Sequence, residues 1–374
     1  MDIPLAKQDI TDAEKSAVLE VLNSPKLALG PKLQEFEKLI ADFFGVKYAI
    51  AVNSGTSGLH LIVRALGITK GDEVITTPFS FVASANCILY EGAKPVFVDI
   101  DPQTLNIDVA RIEKKITKKT NAILAVDVFG NPADWDELKR IAKKHKLFLI
   151  EDAAEALGSQ YRGKQCGSFA DAAVFAFYPN KQITTGEGGM VITDNKKIAD
   201  LCRSMANQGR RVKNGKWLEH VRLGYNYRLD EMSAAMGVAQ MKRLPEILAK
   251  RKKVADLYNE KLRHVKGIQI PHVSRESNLA WFVYVVVLSE NLSGKKRDLI
   301  IKKMVERGIA CSNYFQPIHL QPFYKNEFGY KAGDFPITEN IGKRTLALPF
   351  FNDLTEEEID VVVKNLQEII HGLI

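Results

Sequence analysis

Residues 48–66 read YAIAVNSGTSGLHLIVRAL, and this stretch decides the fold. A short apolar run, 48–52, suits a strand; a polar turn with Gly55 follows, and 57–66 has the apolar content of a helix. A strand feeding directly into a helix is the unit of a parallel sheet. The unit recurs downstream: apolar runs at 73–76, 95–99, 122–126 and 147–151 alternate with helical stretches at 80–90, 109–115 and 134–145. The alternation predicts an α/β fold with a mostly parallel sheet covered by helices on both faces.

Upstream, Thr11 and Glu14 have capping-box spacing for a helix reaching about Leu22. A second amphipathic helix follows Pro31, with Leu33, Phe36, Leu39, Ile40 and Phe43 on one side. Downstream, a helical pattern runs from Asp230 towards Leu262, with Pro245 set to kink or restart it. A different region follows: a strand at 281–288, a helix at 295–307, a strand at 309–315 and a final helix opened by Thr355 with Glu358. The pattern divides the chain into a large domain, 1–245, and a smaller C-terminal α/β domain, 246–374.

Of the 374 residues, 46% are hydrophobic and 26% charged, as in soluble globular chains. No apolar run approaches the roughly 18 to 20 residues of a membrane helix. The start, MDIPLAKQDITDAEK, lacks the form of a secretory signal, so a cytoplasmic location is expected. Cys87, Cys166, Cys202 and Cys311 form no CxxC pair, which favours reduced thiols over a disulfide or a metal site. The formal charge is +7 and the pI about 9.0. Most of the basic clusters sit on helices or turns beside acids, and no nucleic-acid-binding motif accompanies them. They read as solvated faces, with attraction of an anionic substrate a secondary reading.

Parallel α/β sheets bind ligands at the carboxyl ends of their strands. The residues just past those strands are therefore the candidates: 53–57, 78–81, 152–155 and the segment around Lys181. In NSGTSGLH (53–60), Gly55 permits a tight turn, and Thr56 and Ser57 place hydroxyls beside the free N–H groups of a helix N-terminus. That arrangement suits a phosphate, although Ser and Thr there are also ordinary N-caps. Asp152 ends an apolar strand, where a carboxylate needs a partner; it serves equally as a helix cap or as the partner of a protonated ring nitrogen. Lys181 lies between two apolar strands in AAVFAFYPNKQITTGEGGMVITD (172–194). A desolvated lysine is a nucleophile towards carbonyls, and a surface lysine is the plain alternative. Together, a phosphate cradle, a strand-end Asp and a desolvated Lys are the three grips that pyridoxal phosphate needs.

The chain resembles the DegT/DnrJ/EryC1/StrS family of nucleotide-sugar aminotransferases over essentially its whole length. The matching stretches are GPKLQEFE from Gly30, NSGTSGLHL, GDEVITTPFSFVASAN from Gly71, GAKPVFVDIDPQTLNID from Gly92, EDAAEALGSQYRGK from Glu151, FYPNKQITTGEGGMVITD from Phe177 and LGYNYRLDEMSAAMG from Leu223. The resemblance implies a fold-type I aminotransferase acting as a homodimer with shared active sites. It implies that Lys181 carries pyridoxal 5'-phosphate as a Schiff base and shuttles protons, and that Asp152 pairs with the pyridine nitrogen. It further implies that Phe81 stacks on the ring, that Gly55, Thr56 and Ser57 form the phosphate turn, and that Asn226 reaches the partner's phosphate. Ala176 stands where many relatives have a serine that bonds the phosphate, a loss of about 1 kcal/mol if nothing replaces it. Glu155 falls near the ring's phenolic oxygen; ionised, it would repel a phenolate, so it is expected to be protonated or turned to another donor.

The implied donor is L-glutamate and the implied acceptor a nucleotide-linked keto sugar, foremost a 4-keto-6-deoxy hexose, in polysaccharide or cell-surface glycan synthesis. A 3-keto sugar and a cyclitol ketone are further family substrates. Substrate contacts are expected from residues 26–30 of the N-terminal segment, from the partner's Arg228, and from Tyr314 and His319, the histidine being equally a satisfied loop residue. Two rival readings remain: a sugar dehydratase of the same superfamily, which carries His in place of the lysine, and a binding or regulatory protein that kept the fold without catalysis.

Overall fold

The computed structural model describes residues 2–211 and 219–373. The chain opens with α1 (Asp12–Leu22), whose start is closed by the expected capping box of Thr11 and Glu14. The next helix, α2 (Pro31–Phe44), begins at Gly30 and has no side-chain cap of its own. Its free N–H groups are met from far along the chain: the Glu231 carboxylate accepts from Gly30, Lys32 and Leu33 at 2.9 to 3.0 Å. A Cβ at Gly30 would lie 2.5 Å from that carboxylate, so only glycine admits it.

Nine strands follow among the described residues: β1 (Tyr48–Val52), β2 (Glu73–Thr76), β3 (Lys94–Phe97), β4 (Thr120–Val126), β5 (Phe148–Asp152), the short β6 (Gln160–Tyr161) and β7 (Lys164–Gln165), β8 (Ala172–Ala176) and β9 (Gly189–Thr193). Seven of them form one sheet in the order β1-β9-β8-β5-β4-β2-β3. All its pairings are parallel except those of β9, which runs antiparallel to both neighbours. Helices α3 (Gly55–Ala65), α4 (Ala83–Leu89), α5 (Trp135–His145) and α6 (Lys196–Ala206) connect or flank the strands. Side chains alternate between two cores. Ala49, Leu149, Phe175 and Ile192 pack with α2 and α5, whereas Ile50, Ile150, Val174 and Val191 pack with α3, α4 and α6. Burial on both faces is what makes these strands almost wholly apolar in sequence.

Pro245 restarts the long helical stretch as expected, giving α7 (Glu231–Lys242) and α8 (Leu244–Leu262). Leu244 and Ile247 at the start of α8 belong to the core under the large sheet. Val254, Tyr258 and Leu262 belong to a separate core built on the rest of the chain. There, β10 (Ile268–Gln269), β12 (Tyr284–Leu288) and β13 (Thr345–Leu348) form an antiparallel sheet, while β11 (Ser277–Asn278) pairs with β6. Helices α9 (Lys295–Glu306), α10 (Pro322–Phe328), α11 (Pro336–Gly342) and α12 (Glu356–His371) complete the fold, α12 opening with the expected Thr355–Glu358 capping box.

Two expected elements are absent. Residues 109–115 form two single 3₁₀ turns, Val109–Arg111 and Glu113–Lys115, because Ile112 is the one buried side chain of the stretch and no apolar stripe holds a helix to the core. Residues 309–315 are no strand. Ile309 bridges to Ile3 and Ser312 to Ala347, after which the chain leaves the sheet edge to bring Tyr314 and Phe315 to a cavity at the large sheet. No helix among the described residues is long and apolar enough to cross a membrane.

The Glu231 cap yields a first expectation. Glu231→Ala leaves three α2 N–H groups without their acceptor and should lower the unfolding free energy by about 2 to 3 kcal/mol. Glu231→Gln should lower it less, since one acceptor oxygen remains; denaturant melts of the two variants give the comparison.

Candidate active site

A cavity of about 500 Å³ opens at the carboxyl ends of β1, β2, β4, β5 and β8. Lys181 enters it from the connection between β8 and β9, five residues beyond the end of β8. Its Nζ lies 3.4 Å from Glu155 Oε1 and 3.9 Å from the centroid of the Phe282 ring, and the side chain is 12% exposed. Asp152, the last residue of β5, is buried; its carboxylate accepts from Ser84 Oγ at 2.7 Å and from the Ala154 N–H at 3.2 Å. Burial raises the Asp152 pKa, against the pull of Ser84, the Ala154 N–H and Lys181. Glu155 is likewise pushed up by burial, with Lys181 the main opposing influence. Its Oε2 accepts from the Phe129 N–H at 2.8 Å while Oε1 faces the lysine.

At the other end of the cavity lies the N-terminus of α3. Ser54 caps the helix by accepting from the Ser57 N–H, and Ser54, Gly55 and Thr56 line the wall. Glycine is required at 55, since a Cβ there would lie 2.8 Å from the Ala176 Cβ across the cavity floor. The expectation for Ser57 is corrected: it is buried behind the wall, its hydroxyl donates to Asn53 Oδ1 at 2.6 Å and accepts from Ser54 Oγ at 2.8 Å, which leaves Thr56 as the side chain of this turn that offers a hydroxyl to the cavity. Ala176 lines the cavity with a methyl group where relatives were expected to have a serine.

Phe81 stands at the rim, 61% exposed, and Tyr314 and Phe315 close the side towards the smaller sheet. Asn226 and Arg228 do not line this cavity. Asn226 is exposed, and Arg228 lies in a second concavity of about 240 Å³ with Leu29, Gly30, Arg203 and Arg210. His319 is a correction: it is wholly buried away from the cavity, with Nε2 3.1 Å from Glu339 Oε1 and its ring against Phe335. The apolar side chains around it made a core of that loop.

Sequence reasoning placed Ser80 in a candidate stretch without giving it a role, and missed Ser84 and Phe282. The two serines are four apart in SFVAS directly after β2, with their hydroxyls 2.9 Å from each other. That i,i+4 spacing at a strand end was the available signal. Phe282 reaches the site from the far core and left no local mark.

An amine, a buried carboxylate without a cationic partner of its own and a helix N-terminus around one cavity define a pyridoxal-phosphate-dependent aminotransferase of fold type I. A profile of the DegT/DnrJ/EryC1/StrS aminotransferase family matches residues 8–367, and the chain belongs to that family. The GDP-perosamine synthase of Caulobacter vibrioides is 40% identical over 370 residues, covering 98% of each chain. The spore coat polysaccharide biosynthesis protein SpsC of Bacillus subtilis is 38% identical over 379 residues, 99% of this chain and 97% of that one. Among solved structures, Helicobacter pylori PseC, an aminotransferase involved in the biosynthesis of pseudoaminic acid, matches with a TM-score of 0.93 at 30% identity over 100% of both chains.

The residues present fit the cofactor. Asp152 is a buried carboxylate whose raised pKa marks an unmet need for a positive neighbour, and a protonated ring nitrogen is such a neighbour. The sign follows from linkage. A carboxyl whose folded pKa is raised gives full stability below its unfolded value, and that contribution is lost as pH rises through the folded value. Cofactor-free Asp152→Asn protein is therefore expected to melt above cofactor-free wild type at pH 8, yet to gain less stability when pyridoxal phosphate is added. Paired thermal melts with and without cofactor check both halves, and a lower melting point for the cofactor-free variant contradicts the account.

Proposed function

We propose that the protein moves the amino group of L-glutamate to the ketone of a nucleotide-linked keto sugar, foremost a 4-keto-6-deoxy hexose, for polysaccharide or cell-surface glycan synthesis in the cytoplasm. The observation that carries this reading is that Lys181 is the one basic side chain among the described residues lining a cavity that also holds Asp152 and Glu155. The synthases and sugar aminotransferases among the relatives support the sugar acceptor.

Bound pyridoxal phosphate supplies a carbonyl for the amine and an electron sink for the carbon losing its proton. Asp152 would keep a proton on the pyridine nitrogen, and Ser84 fixes the carboxylate in place. Lys181 Nζ would hold the cofactor, and as a free amine it would accept at Nζ the proton leaving the donor's α-carbon. Glu155 and the Phe282 face hold that ammonium over the cavity, the ring contributing a cation–π contact. Tyr314 and Phe315 wall the reacting region from water. Thr56 and the open N–H groups at the start of α3 would receive the phosphate.

The phosphate end has no basic side chain among the described residues that line it, and Phe81 and Tyr178 leave 61% and 52% of their surface open at the rim. Both features support a homodimer in which a second copy covers the rim and completes the phosphate site with its Asn226, while its Arg228 meets the substrate. Arg203, Arg210, Arg211 and Arg228 gather around one concavity, a setting that favours a nucleotide diphosphate. The dehydratase reading is disfavoured because Lys181 stands where such an enzyme carries histidine, and no histidine among the described residues lines the cavity.

Glutamate added to the purified holoenzyme should bleach the visible band of lysine-bound cofactor, and a keto-sugar nucleotide should restore it. A panel of such nucleotides with the ketone at C3 or C4 identifies the acceptor. Lys181→Ala should lose turnover by at least about 10³-fold. A Lys181→Ala enzyme running at the wild-type rate, or a holoenzyme blind to glutamate, would refute the proposal.

A further inference from the structure

Outside the cavity, a closed set of side chains joins α3 to the segment at residues 224–228. His60 lies on α3 past the N-terminal turn, its side chain 5% exposed. Its Nε2 is 2.7 Å from Glu91 Oε1 and its Nδ1 is 3.1 Å from the Tyr227 hydroxyl. Arg64, one turn further along, grips the same Glu91 carboxylate at 2.7 and 3.0 Å. With Glu91 held as a carboxylate, Nε2 donates to it and Nδ1 accepts the tyrosine hydroxyl. The Tyr225 and Tyr227 rings stack at 4.8 Å between centroids, and His60 lies 4.8 Å from Tyr225.

A second tie runs parallel to the first. Asn53 gives its backbone N–H to the Tyr227 carbonyl at 2.9 Å and its side-chain amide to the Asn226 carbonyl at 3.3 Å. Its Oδ1 accepts the hydroxyl of Ser57 at the start of α3. No side chain of the first tie lines the cavity, whereas the second reaches the cavity wall through Ser57 and Ser54; what both hold is one short extended segment. In extended backbone, alternate residues face opposite ways. Tyr225 and Tyr227 face inward onto His60, so Asn226 and Arg228 share the opposite side, where Asn226 is exposed.

We propose that His60, Glu91 and Arg64 form a positioning brace: by gripping Tyr225 and Tyr227 from behind, they set Asn226 and Arg228 in the orientation that completes the partner's cofactor site. The brace therefore acts across the dimer and not on the site of its own chain. This rests on the shared-site reading given above, and the experiment separates the two.

Hybrid dimers in which one chain carries Lys181→Ala confine the visible cofactor band to the site of the other chain. Tyr227→Phe removes the hydroxyl on His60 and keeps the ring stack, which preserves folding. Placed on the Lys181→Ala chain, it should weaken pyridoxal phosphate binding at the remaining site by roughly fivefold, the worth of one hydrogen bond. Placed on the lysine-bearing chain, it should leave the dissociation constant unchanged. Asn226→Ala on the Lys181→Ala chain is the control for the shared site. If that control weakens binding while Tyr227→Phe acts in the lysine-bearing chain, in both chains or in neither, the brace is overturned and the shared site stands. If the control has no effect, the shared-site reading falls and the brace falls with it.

Discussion

An ammonium and two buried carboxylates share one cavity at the edge of a core, and most of the fold serves to make that tolerable. Ionisable groups out of water are stable only when compensated by charge and hydrogen bonds. Asp152 and Glu155 arise from one strand end, three residues apart, and each takes a neutral donor from elsewhere, Ser84 and the Phe129 N–H. Lys181 pairs with Glu155, and its charge reaches Asp152 only at longer range, because β8 pairs beside β5, so the connection leaving β8 passes over the end of β5. The reversed direction of β9 returns the chain at once, which keeps that connection short enough to hold the lysine in place.

The large sheet was legible from its residues for a physical reason. Strands buried on both faces are continuous apolar runs, and the polar turns between them contrast sharply with them. The same logic exposed Lys181, Asp152 and Thr56, since strand ends are where such a sheet can bind anything. It failed where tertiary contact outweighs local pattern. Residues 309–315 are apolar enough for a strand, but their chain is drawn from the sheet edge to wall a cavity. His319 sits in a motif that looks like a substrate loop, yet Phe335 and Glu339 enclose it. Ser57 has the right neighbours for a phosphate ligand, and only its bond to Asn53 shows that its hydroxyl is turned away.

The brace was invisible for a different reason. His60 and Glu91 are 31 residues apart and His60 and Tyr227 are 167 apart, so no spacing rule joins them. What binds them is the need of a buried imidazole for two partners. The outcome is a helix whose first turn lines the cavity and whose next turns hold the segment at residues 224–228. At the same wall Ala176 contributes a methyl group and no hydrogen bond, so the polar groups there come from the helix.

Lys181 is proposed to hold the cofactor through its amine, and reduction of the holoenzyme with borohydride, followed by peptide mapping with mass spectrometry, tests this directly. A pyridoxyl group should appear on the peptide containing Lys181, at about one per chain. Attachment at another lysine, or no attachment at all in protein that binds pyridoxal phosphate, would contradict the proposal.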